Sequence, residues 1–113
     1  MLTPRKETAV GDKEYVNYLT PEREDRFRYY HRLERKRIVR FAVQYEAFIT
    51  GGWRAIVRYD MAHGRPHKDI LHPNSAEDKE EFYGCTPEDV LTLGERDIKA
   101  NWRRYRAAYE LEM

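Results

Sequence analysis

The side chains best equipped for chemistry are crowded into one segment, Arg58-Tyr59-Asp60-Met61-Ala62-His63-Gly64-Arg65-Pro66-His67-Lys68-Asp69. An imidazole titrates near neutrality and can carry a proton, while an arginine beside it stabilises the negative charge that builds on phosphoryl oxygens. Arg58, Asp60, His63 and His67 would supply those parts for a phosphodiester, with Asp60 or Asp69 orienting a histidine tautomer. RNA cleavage asks for nothing more, because the 2′-hydroxyl is itself the nucleophile. Arg40, Arg54 and Arg65 are the cations expected to hold such a substrate.

The same segment also reads as a metal set. His67 and Asp69, two apart on a strand, point to one side, and His63 across the turn would complete a two-histidine, one-carboxylate face. No HExxH pattern or cysteine pair accompanies them, so neither a metal nor any other cofactor is expected. Each residue has an ordinary structural use as well: Arg58 and Asp60 as an ion pair, His63 as a turn cap, His67 bonded to a carbonyl. Cys85, the single cysteine, sits in an acidic neighbourhood that suppresses thiolate formation and is discounted as a nucleophile.

Strands must position this segment. Val39, Phe41, Val43, Tyr45, Ala47 and Ile49 alternate with mostly polar residues, the period of a strand with one buried face. After Thr50-Gly51-Gly52, the run Trp53, Ala55, Val57, Tyr59 and Met61 does the same, so the two form a hairpin. A three-residue loop sets Ile49 opposite Trp53, Tyr45 opposite Val57 and Phe41 opposite Met61, leaving Arg40, Gln44, Glu46, Arg54, Arg58 and Asp60 on the polar face. A third strand runs from about His67 to His72. Burying Asp69 unpaired costs more than letting Lys68 run its stem along the core margin, which puts His67 and Asp69 on the polar face.

Helices are expected on either side of this meander. Thr20-Pro21-Glu22 has the form of a helix start, and Phe27, Tyr30 and Leu33 follow at near-helical spacing on a basic rod reaching Lys36. Glu77 to Asp89 reads as an acidic loop. Thr92-Leu93-Gly94-Glu95 then resembles a capping box, followed by an apolar stripe of Ile98, Trp102, Tyr105 and Tyr109. The expected fold is therefore α+β: a three-stranded antiparallel β-meander packed on a C-terminal amphipathic helix, with a basic N-terminal helix.

The 113 residues suit one domain, here 15–113, behind a polar N-terminal arm over 1–14. A net charge of +1 hides a local imbalance. Arg23 to Arg40 holds eight Lys and Arg against three acids, whereas Glu77 to Asp89 holds six acids against one lysine. That separation suits an electrostatic partner, either RNA or a cognate protein docking between the basic helix and the acidic loop. An open edge strand would equally support a homodimer. No run approaches the roughly 18 apolar residues of a membrane helix, and Met1 to Val10 lacks the pattern of a signal peptide. With one cysteine, the expected location is cytoplasmic.

Ile56-Val57-Arg58-Tyr59-Asp60, Ala62-His63-Gly64, Pro66-His67-Lys68-Asp69 and Asp97-Ile98-Lys99-Ala100-Asn101-Trp102 together resemble a family of small uncharacterised prokaryotic proteins classed as a domain of unknown function. More distantly, the Arg58-Tyr59-Asp60-x-Ala62-His63 segment and the histidine-containing strand after it are similar to TumE-type toxins of toxin–antitoxin pairs. This resemblance implies an RNA-directed toxin and carries over Arg58, Asp60, His63 and His67 by position. Here Gly64 follows His63 and Asp69 follows Lys68, where TumE-like chains tend to be richer in histidine, and the stretch from Pro21 to Lys36 has no match in them. A non-enzymatic interaction module is the competing expectation.

Overall fold

A computed structural model describes residues 10–113. Six strands run in chain order through one antiparallel sheet: β1 (Val10–Tyr18), β2 (Asp25–Glu34), β3 (Arg37–Ile49), β4 (Gly52–Asp60), β5 (His67–Leu71) and β6 (Glu77–Glu81). One helix, α1 (Pro87–Leu111), follows. The expected three-stranded meander is thus the middle of a six-stranded one. Of the expected N-terminal arm, residues 1–9 lie outside the described residues and residues 10–14 open β1.

The basic N-terminal helix is replaced by β2. Phe27, Tyr30 and Leu33 do recur near the helical period, but Asp25, Phe27, Tyr29 and His31 recur just as regularly at the period of a strand. Pairing on both sides decides between them: Phe27 lies opposite Tyr45 on β3 and Asn17 on β1, and Tyr29 opposite Val43 and Tyr15. Thr20 does cap backbone, but its hydroxyl accepts from Glu24 N (3.3 Å) in the turn between β1 and β2. The partner surface expected from a basic helix accordingly has no helix to rest on. The acidic loop is in part β6, whose five residues are all exposed, and such a charged edge discourages further strand pairing.

The hairpin between β3 and β4 turns on two residues rather than three. Thr50 and Gly51 both take positive φ (53° and 79°), as a tight hairpin turn of the primed kind requires. Ile49 therefore pairs with Gly52 and Phe48 with Trp53. A bulge then inserts Ile56, so that Tyr45 faces Val57 as the alternation predicts. Ile56 and Val57 are both buried at the bulge. Between the turn and the bulge the faces are exchanged: Trp53 and Ala55 share the side of Arg58, and Arg54 takes the opposite side, across from Ala47.

One face of the sheet carries the core. Phe27, Tyr29, Phe41, Val43, Tyr45, Ala47, Val57 and Tyr59 pack there with Val90, Leu91, Ile98, Trp102 and Tyr109 of α1. The helix begins at Pro87, capped by the Thr86 hydroxyl accepting from Asp89 N (3.0 Å), well before the expected box at Thr92. Its docking is reinforced by two polar knots. Tyr59 and Tyr105 both donate to Asp97 Oδ2 (2.7 and 2.6 Å), beside Lys68. At the other end, buried Asp25 accepts from Tyr45 Oη (2.5 Å) and Arg106 (2.8 Å). No helix among the described residues is long and apolar enough to cross a membrane.

Candidate functional site

The face of the sheet turned away from α1 is set by register. Arg26, Arg28, Tyr30 and Arg32 of β2 alternate with the core residues and point to it, as do Ala42, Gln44, Glu46 and Phe48 of β3, Trp53 and Arg58 of β4, and Tyr18 of β1. The Arg26 guanidinium lies over the Trp53 ring at 3.8 Å from its centroid, and its Nε donates to Glu46 Oε1 at 2.5 Å. Trp53 meets Phe48 edge to face, and Tyr18 flanks it. Gln44 links the row, donating to Glu46 while accepting from Arg58 Nε at 2.6 Å. A cavity of 280 Å³ opens beside this row, and Glu14, Arg28, Tyr30, Ala42 and Gln44 line it.

At the β4–β5 end of the same face, Asp60 pairs with His67 and Arg58 with Asp69. His67 Nε2 lies 2.7 Å from Asp60 Oδ1 and 3.3 Å from Asp69 Oδ2. Its Nδ1 lies 3.2 Å from the carbonyl oxygen of Arg65. A carbonyl only accepts, so this contact places a proton on Nδ1. His67 and Asp69 are 5% and 3% exposed, although they stand on the face that the helix does not cover. Asp60 Oδ1 and Asp69 Oδ1 are buried without a hydrogen-bond donor, the Lys79 ammonium staying 3.8 Å from the latter.

The structure therefore draws Asp60, His67 and Asp69 together, with Arg58 across from Asp69. His63 is exposed in the turn after β4 and does not join this group. The other cations disperse. Arg40 is exposed on the helix-free face opposite Arg32, Arg65 pairs with Glu81 (3.0 Å), and Arg54, carried to the helix side by the bulge, donates to Ile49 O at 3.4 Å. Sequence reasoning passed over Arg26, Arg28, Tyr30, Gln44 and Trp53. The alternation Arg26-x-Arg28-x-Tyr30-x-Arg32 was the available signal, hidden by reading that stretch as a helix.

No curated protein and no solved structure matches the chain. The profile of one protein family does, over residues 10–113, which takes in the whole sheet and helix. By that match the chain belongs to the family described as Domain of unknown function (DUF7718).

Proposed function

We propose that this protein acts on RNA, binding a single strand across the helix-free face of its sheet. The observation that supports this is the composition of that face: Arg26, Arg28, Arg32, Arg40 and Arg58 interleaved with Tyr18, Tyr30, Phe48 and Trp53. Sequence-tolerant single-strand binders combine these two elements, cations along the backbone and rings on which bases stack. The cavity beside Arg28 and Tyr30 gives a nucleotide a place to seat. The resemblance of the Arg58 to Asp69 segment to TumE-type toxins points the same way. In this reading Arg58, its guanidinium held by Gln44, contacts a phosphodiester beside the Asp60, His67 and Asp69 group.

The test is fluorescence anisotropy of a labelled single-stranded RNA, with a gel assay for cleavage on the same samples. Binding is expected to weaken as salt rises, and Arg28→Ala or Arg58→Ala to flatten the logarithmic salt dependence by about one unit each. Trp53→Ala is expected to weaken binding by about 1–3 kcal/mol. A folded protein that leaves RNA unbound at low salt would overturn the reading.

The edges favour one second reading. β1 presents Val10, Val16 and Tyr18 exposed at one border of the sheet, whereas β6 at the other carries only charged residues. A second copy or a cognate protein would add its strand to β1. A sedimentation profile that stays monomeric at high concentration, with no partner recovered, would dispose of it.

A further inference from the structure

The contacts of His67 do not close on themselves. With a proton on Nδ1, the other ring nitrogen, Nε2, faces carboxylate oxygens at 2.7 and 3.3 Å. Two buried acceptors in the same group, Asp60 Oδ1 and Asp69 Oδ1, have no donor. Leaving such groups unsatisfied away from water is costly. Nε2 is turned toward Asp60 Oδ1 and Asp69 Oδ2, so no ring atom of His67 serves Asp69 Oδ1. A dication among the three side chains would give Nε2 and the unpartnered carboxylate oxygens one shared attractive partner.

The geometry suits that answer. One donor atom from each of Asp60, His67 and Asp69 can be chosen so that all lie within 4.8 Å of one another. Metal–ligand bonds of about 2.1 Å in tetrahedral geometry need separations near 3.4 Å, which a small movement of the side chains supplies. Holding Nδ1–H on a backbone carbonyl is also how proteins orient a ligating imidazole. The side chain of Asp60 keeps 16% of its surface exposed, against 5% for Asp69, so the group meets solvent at its Asp60 end.

We propose that Asp60 Oδ1, His67 Nε2 and an oxygen of Asp69 form a binding site for a transition-metal dication of the Zn²⁺ or Mn²⁺ class. The imidazole nitrogen selects such ions over Mg²⁺ and Ca²⁺, which prefer shells made wholly of oxygen. The site stands independently of RNA, since none of its evidence comes from the arginine and aromatic row.

The experiment is calorimetric titration of the full chain, stripped with chelator, against Zn²⁺ alone and Mn²⁺ alone, with thermal melts on the same samples. One equivalent is expected to bind and to raise Tm by roughly 5 °C or more at saturation. Asp69→Asn and His67→Gln are expected to weaken binding at least about tenfold, and Glu80→Gln, on exposed β6, to leave it unchanged. Asp69→Asn should also melt no lower than the parent chain in chelator, because the amide removes a like charge. A titration without heat or melting shift, or affinity equal in Asp69→Asn and the parent, would overturn the site. If Asp69→Asn does not fold, Asp60→Asn at the more exposed end of the group decides by the same readout.

Discussion

A Cβ built on Gly94 of α1 would stand 2.7 Å from Cγ of Tyr59 on β4. That separation is closer than real Cβ contacts come, so the helix crosses the sheet here at a distance only glycine permits. The same tyrosine donates to Asp97, one turn along the helix, so close approach and hydrogen bond hold α1 in one register on β4.

Gly94→Ala should therefore destabilise the protein by about 1–3 kcal/mol through overpacking, read from urea denaturation midpoints. In a Tyr59→Ala background the ring is gone and only the contact with the remaining Cβ of residue 59, at 3.0 Å, is left. The same substitution should then cost markedly less, offset in part by the higher helix propensity of alanine, worth up to about 1 kcal/mol. Equal costs in both backgrounds would show that the tyrosine ring is not the cause.

Arg106 reaches from α1 to Asp25, to Glu24 O (3.3 Å) and to Phe48 O (3.3 Å). Removing it leaves the buried Asp25 carboxylate with Tyr45 alone. Arg106→Ala is expected to cost about 2–4 kcal/mol and Tyr45→Phe about 1–2 kcal/mol in chemical unfolding, and an Arg106→Ala variant as stable as the parent would show that these bonds do not hold α1 to the sheet.

His72 joins three elements at its partly exposed position after β5, meeting Asp78 at 2.9 Å through Nε2 and Glu112 at 2.9 Å through Nδ1. These bonds, first that to Asp78, raise its pKa above the ordinary 6.5. A group with a raised folded pKa contributes stability that is complete below the unfolded value and fades as pH climbs through the folded one. The Tm difference between the parent and His72→Gln should accordingly be greatest below about pH 6.5 and narrow in mild alkali. A difference that grows with pH would contradict the assignment.

Glu88 behaves with the opposite sign. Its Oε2 accepts from Arg37 Nε (3.1 Å) and from Ile38 N (2.9 Å), and these bonds, chiefly that to Arg37, bring its pKa from 4.5 down to about 2. A depressed pKa contributes stability above the unfolded value, lost as pH falls through the folded one. Glu88→Gln should thus be less stable than the parent at neutral pH, with the gap closing between pH 4.5 and about 2. Acid melts of the two proteins check this.

Much of the centre of the fold was legible. Phe41 to Ile49 alternates without interruption, and the buried set of β3 follows it. Ile98, Trp102, Tyr105 and Tyr109 mark the face of α1 that meets the sheet. The preference for His67 and Asp69 on the polar side of β5 agrees with their pairing opposite Asp60 and Arg58. The helix start falls at Pro87 and not at Thr92, because a threonine three residues before a glutamate has the form of a capping box in any exposed stretch, whereas the glycine between them answers to a ring on another element. The bulge at Ile56 was invisible for a similar reason: adding one residue to the loop or one to the strand produces the same register at Tyr45 and Val57.

Periodicity and composition determined which stretches alternate, which helix face is apolar, and that arginine, histidine and carboxylates are concentrated near one turn, because these depend on neighbours along the chain. Only the tertiary structure decided that Pro21 to Lys36 is turn and strand instead of helix, that Asp60 rather than His63 stands with His67 and Asp69, and that Trp53 joins the arginine face. Those outcomes depend on pairing between strands and on a single inserted residue, and hydrogen bonds to a partner strand leave no trace in the spacing of one segment read alone.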